Sequence, residues 1–115
     1  MTIREIAETL DATWLCCEEE GDRVLRTAFA SDMMSDVLAC VTEDTLLLTG
    51  LVNGQCVRTC EMLDVVCIVF VRGKQPPADA LELARELGIA VMSTSLTLYE
   101  ACGKLYALGL PGKNT

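Results

Sequence analysis

With 115 residues, 51% of them apolar and 23% charged, the chain is long enough for one hydrophobic core, too short for two and too apolar for disorder. Nine basic against 17 acidic residues leave a net charge of −8, which repels nucleic-acid backbones and anionic membrane surfaces. There is no histidine, which removes histidine acid/base catalysis, Ser/His and Cys/His nucleophile pairs and histidine metal ligands. The longest apolar run, seven residues at 65–71, falls far short of the ~20 that span a bilayer. Residues 1–20 lack a basic start followed by an apolar stretch, so a cytoplasmic location is expected, with no nucleic-acid or membrane partner. Seven cysteines, Cys16, Cys17, Cys40, Cys56, Cys60, Cys67 and Cys102, are odd in number and sit mostly in apolar stretches. They read as reduced thiols packed in an aliphatic core.

Thr2 opens a helix to about Leu10, with Glu5 placed to close a capping box and Ile3, Ile6, Ala7 and Leu10 on one face. Residues 13–17 (TWLCC) read as a strand, 18–22 as an acidic, solvent-facing turn, and 24–30 as a second strand. Ser31 or Asp32 can cap a helix through Val41 that turns Met33, Met34, Val37, Leu38 and Val41 inward. On that reading Asp32 and Asp36 share a helix face.

The stretch 45–71 (TLLLTGLVNGQCVRTCEMLDVVCIVFV) organises the rest, because it reads as strand, polar turn, helix and strand in 27 residues. A crossover of that length joins parallel strands and is almost always right-handed. Its helix opens near Asn53 and buries Val57, Cys60 and Leu63. Pro77 suits the first turn of a helix ending at Leu87, with Leu81, Ala84 and Leu87 inward and Gly88 as a left-handed stop. Residues 89–92 form a last strand, and Thr97 with Glu100 can box the start of a helix to about Leu108 whose inner face is Leu98, Ala101, Cys102 and Leu105. Residues 110–115 read as a loose tail. Strand-to-helix steps repeated in this way predict an α/β fold, a three-layer sandwich with a mostly parallel sheet, in one domain over residues 1–115.

In such sheets ligands lie beyond the carboxyl ends of the strands, where helix N-termini also gather. Four junctions meet that description, contributing Ser31 and Asp32, then Thr49, Gly50 and Asn53, then Arg72, Gly73 and Lys74, then Ser93 and Thr94. Arg58, one turn into the helix after Asn53, can join them or project to solvent. Hydroxyls, small turns and cations on one rim favour a small anion. The same residue types are ordinary helix caps and turns, and neither Gly50 nor Gly73 belongs to a nucleotide-binding fingerprint. Two other readings stand beside this one. Ser31, Asp32 or Thr49 could serve a small phosphoryl- or acyl-transfer enzyme, and Cys56 and Cys60, one helical turn apart, could bind a metal through thiolates.

With SDMMSDVL at 31–38, LLLTGLVNGQCVRTCEMLD at 46–64, IVFVRGKQP at 68–76 and STSLTLYEACGKLYALGL at 93–110, the sequence resembles a stand-alone DRTGG domain over nearly its whole length. The resemblance implies an α/β domain related to the amino-terminal domain of HPr kinase/phosphorylase. Such domains also occur beside CBS domains in regulated pyrophosphatases and in phosphotransacetylases. It further implies a regulatory or dimerising module, not a catalytic centre, and stand-alone forms tend to occur with iron-only hydrogenase and related electron-transfer systems, which makes a redox-enzyme partner possible. With the rim chemistry this gives the expectation of a homodimer that senses a small anionic ligand such as a nucleotide or phosphate, with no cofactor, catalytic residue or metal. The five residues of the family name are not contiguous here. Thr49-Gly50 and Arg72-Gly73 are the nearest strings.

Overall fold

Leucine, isoleucine and valine crowd 46–48 and 65–71, and chains so branched at successive positions form strands that bury both faces. In the computed structural model, which describes residues 1–112, they sit at the centre of one five-stranded sheet. Its strands are β1 (Thr13–Cys16), β2 (Thr27–Ala30), β3 (Thr45–Thr49), β4 (Cys67–Phe70) and β5 (Ala90–Ser93), in spatial order β1-β5-β4-β3-β2. From β2 to β5 neighbours run parallel, with Leu46 opposite Ala28 on one side and Cys67 on the other. Only β1, at the edge, is antiparallel to its neighbour β5.

The helices are α1 (Ile3–Thr9), α2 (Met34–Cys40), α3 (Gly54–Met62), α4 (Ala78–Leu87) and α5 (Leu98–Ala107). Three successive crossovers each step one strand over in the same direction. Because the three share one hand, α2, α3 and α4 lie side by side on one face. On the other face α1 touches α5, and α5 lies against β3. The result is the expected α/β sandwich, its interior filled by Leu46, Leu47, Leu48, Ile68, Phe70 and Met92.

Several local expectations change. The strand expected over 24–30 pairs only from Thr27, because the N-terminus claims the earlier backbone: Ile3 N–H donates to Arg23 O at 3.0 Å and Leu25 N–H to Met1 O at 2.8 Å. Although only residues 17–26 separate β1 from β2 in sequence, they occupy opposite edges of the sheet. α2 starts at Met34 rather than after a Ser31 or Asp32 cap, and its N-cap Met33 makes no side-chain cap bond. Its inward stripe is therefore Met34, Val37 and Val41, while Met33 and Leu38 are 60% and 45% exposed. Asp32 lies ahead of the helix and shares no helix face with Asp36. In α4 the fully buried residues are Ala80 and Ala84, and Leu87 turns outward. Of the tail expected to be loose, 110–112 is held: Leu110 is buried and Pro111 O accepts from Ala28 N–H at 3.0 Å. Residues 113–115 of that expectation lie outside the described residues.

Both expected capping boxes form. Thr2 N–H donates to Glu5 Oε1 at 2.9 Å while Glu5 N–H donates to Thr2 Oγ1 at 3.1 Å, and Thr97 and Glu100 repeat the exchange at 3.2 and 3.3 Å. The backbone N–H of Thr2 holds the Glu5 carboxyl below its ordinary 4.5, and that of Thr97 does the same for Glu100. A depressed carboxylate pKa contributes stability that is present above the unfolded value and lost as pH falls through the folded one. Urea denaturation should therefore show the Glu5→Gln/Glu100→Gln variant losing less stability than the wild type as pH drops from about 6 to about 3. Parallel curves for the two proteins would refute this assignment.

Candidate functional site

Beyond the last rung of a parallel sheet, the backbone groups at the strand ends lack strand partners and need other ones. Here side chains supply them. Ser31 N–H still reaches Leu48 O at 3.1 Å, and Ser31 Oγ accepts from Met33 N–H at 3.0 Å, folding the chain so that Asp32 turns toward β3. Asp32 Oδ1 accepts from Gly50 N–H at 2.6 Å and from Thr49 Oγ1 at 3.0 Å, and Thr49 Oγ1 in turn accepts from Leu51 N–H at 3.0 Å. Lys74 Nζ donates to Gly50 O at 3.0 Å, and Ser93 Oγ donates to Lys74 O at 2.9 Å. One chain of hydrogen bonds thus links the segments after β2, β3, β4 and β5.

Gly50 sits close against both side chains. A Cβ there would lie 3.1 Å from Arg72 Nη2 and 3.4 Å from Asp32 Oδ1, so the guanidinium would have to shift by a few tenths of an ångström to admit one. Arg72 and Gly73 are both left-handed, with φ of 59° and 67°. The arginine departs from the conformation side chains prefer, and two bonds hold it there: Arg72 N–H to Leu96 O and Gly73 N–H to Thr94 O, both 2.8 Å. Among the described residues the Arg72 guanidinium makes no hydrogen bond and no ion pair.

Of the eleven residues singled out from sequence, Asp32, Thr49, Gly50, Arg72, Lys74 and Ser93 are brought together. Gly73 shapes the turn beside them. Thr94 is buried and donates to Leu10 O at 2.7 Å, which ties β5 to the end of α1. Asn53 caps α3 by accepting from Cys56 N–H, Ser31 shapes its own turn, and Arg58 is exposed on α3 without an ion pair among the described residues. Asp32 was expected as a helix cap; its role as the acceptor that joins β2 to β3 required the register of those strands to be known.

Of the three residues named for a transfer enzyme, Thr49 is poorly placed to act as a nucleophile. Thr49 is fully buried, its hydroxyl already donating to Asp32 and accepting from Leu51. Five of the thiols are also disfavoured as thiolates. Burial pushes Cys16 up to about 12 and raises Cys17, Cys67 and Cys102, while the Cys56 thiol, and then burial, push Cys60 well above the ordinary thiol range. Cys56 and Cys60 are both sealed in the core, and no group of three or more potential metal ligands gathers among the described residues.

The family model of the DRTGG domain matches residues 5–108. A search of curated proteins returns no match. Among solved structures the chain is similar to the CBS and DRTGG domains of the regulatory region of Clostridium perfringens pyrophosphatase, a crystal structure complexed with the activator diadenosine tetraphosphate. The TM-score is 0.71 at 19% identity, over 96% of this chain and 47% of that one. This is a likeness of fold, and the present chain spans about half the length of that region.

Removing the Asp32 carboxylate strands the buried Thr49 hydroxyl and the Gly50 N–H. Asp32→Ala should lower stability by about 1–3 kcal/mol in urea. Asp32→Asn keeps an acceptor oxygen in place and should cost clearly less. Equal losses for the two would mean that these bonds contribute nothing.

Proposed function

The chain belongs to the DRTGG domain family, and on that footing we propose that it is a non-catalytic regulatory module that senses a small anionic ligand, a nucleotide foremost, at the rim where β3 and β4 end. The carrying observation is that two opposite functions meet against Gly50. Arg72 offers an uncommitted guanidinium, and Asp32 offers a carboxylate whose hydrogen bonds all use Oδ1. A phosphate answers the first, and a ribose hydroxyl or base amino group answers the second. Inorganic phosphate meets the cation but is repelled by the carboxylate, so the pair favours a molecule carrying both an anion and a donor.

The pyrophosphatase regulatory region, with its diadenosine tetraphosphate activator, supports the choice of ligand class. The reading extends to a homodimer and to a protein partner of the hydrogenase or electron-transfer class, the latter carried by family resemblance alone. Location in the cytoplasm belongs to the same reading; no helix among the described residues is long and apolar enough to cross a membrane.

The test is calorimetric titration at low salt with AMP, ATP, diadenosine tetraphosphate and inorganic phosphate. At least one nucleotide should bind, and inorganic phosphate should bind about tenfold more weakly or not at all. Arg72→Gly suits the left-handed backbone, so it should preserve the melting temperature while weakening nucleotide binding about tenfold, the worth of one charge-assisted hydrogen bond. Absence of binding by every nucleotide, or full affinity in Arg72→Gly, would overturn the proposal.

A further inference from the structure

One face of α5 is bare, and nothing inside the protomer accounts for its composition. Ala101 and Leu105 turn to the core, while Tyr99 and Tyr106 stand 88% and 73% exposed on either side of Gly103. They border an open groove of about 720 Å³ that continues past Cys102 and Tyr106 into a crevice of about 140 Å³ lined by Ala28, Ala30 and Leu48. Gly103 lies in mid-helix, where glycine costs about 1 kcal/mol relative to alanine. A Cβ there would meet no atom within 4 Å, whereas one at Gly50 or Gly21 would press on an arginine. Its own protomer has no use for this glycine. A close approach from outside does.

We propose that this face is where two copies of the chain meet, α5 packing antiparallel on α5 about a twofold axis near residues 102 and 103. The proposal specifies the homodimer offered above and owes nothing to the anion rim. The arrangement of rings and charges selects a second copy as the occupant. An isologous pair sets the same flank of each helix against itself in reverse order. Along α5 one flank carries Tyr99 and Tyr106, and the other carries Glu100 and Lys104. A single axis serves both flanks: Tyr99 meets the partner's Tyr106, Glu100 meets the partner's Lys104, and each contact occurs twice.

Glu100 can take part without leaving its capping box, since its bonds from Thr97 both end on Oε1. At the centre Gly103 lets the two backbones draw close, and the tyrosines flank that approach. Four tyrosines burying roughly 150 Å² or more apiece supply about 600 Å² of the ~1,000 Å² a specific interface needs. Ala107 and the crevice beside Ala28 and Ala30 are available for the remainder.

Light scattering on the full chain across a concentration series tests this, with circular dichroism as the control for folding. The wild type should be a dimer. Gly103→Glu, which has open space for its side chain within the protomer, should be a folded monomer. Lys104→Glu should weaken association, and Glu100→Lys/Lys104→Glu should restore it by exchanging the charges across the axis. A wild-type monomer at every concentration would overturn both this interface and the proposed homodimer. A dimer that persists in both Gly103→Glu and Tyr106→Arg would overturn the interface alone. None of these substitutions touches the rim, so nucleotide titration succeeds or fails independently.

Discussion

Strands that run the same way also finish at the same edge, and much of what is particular to this chain happens at that edge. Between neighbouring strands from β2 to β5 the peptide groups are paired rung by rung; past the last rung that pairing ends. The chain answers by sending side chains across. Asp32 takes the N–H of Gly50, Lys74 takes its carbonyl, and Ser93 takes the carbonyl of Lys74. The requirement that buried backbone be hydrogen-bonded thus draws a carboxylate and a cation onto one rim, and the tight turn at Gly50 admits a second cation beside them. Satisfying the fold and assembling the proposed site would then be the same act.

This origin shapes what the rim can recognise. In many α/β folds the strand-end amides are left open for an anion. In this chain one such amide already holds an anion of its own, the Asp32 carboxylate. A ligand at the proposed site would meet Arg72 with the acid still beside it, which would favour a molecule with donors as well as negative charge over a bare oxyanion. The overall charge of −8 works in the same direction, since it repels anions that lack specific contacts.

The two faces of the sheet are covered unequally. Three helices lie on one side and two on the other. Two helices about 10 Å wide cover roughly 20 Å, less than the ~24 Å taken by five strands spaced ~4.8 Å apart. The shortfall appears beside β2, where Ala28 and Ala30 line a crevice next to α5. It leaves one flank of α5 without a neighbouring helix, whereas α3 has one on either side.

Much of the architecture could be read from residues one at a time or in short runs. Capping boxes at Thr2 and Thr97, the left-handed Gly88 after α4 and the branched runs of β3 and β4 are local signals, each formed by residues within a few positions of one another. Their order implied parallel pairing, and parallel pairing implied a shared rim. What the sequence could not show were relations between distant segments: the N-terminus claiming the first half of the strand expected over 24–30, β1 and β2 on opposite edges, and Asp32 serving β3 instead of capping α2. Each depends on which backbone groups compete for the same donor or acceptor, and that competition is decided only when segments far apart in the chain are packed together. The sequence by itself determined the elements and their direction; tertiary packing decided which polar side chains were consumed by the fold and which, like the Arg72 guanidinium, have no partner among the described residues.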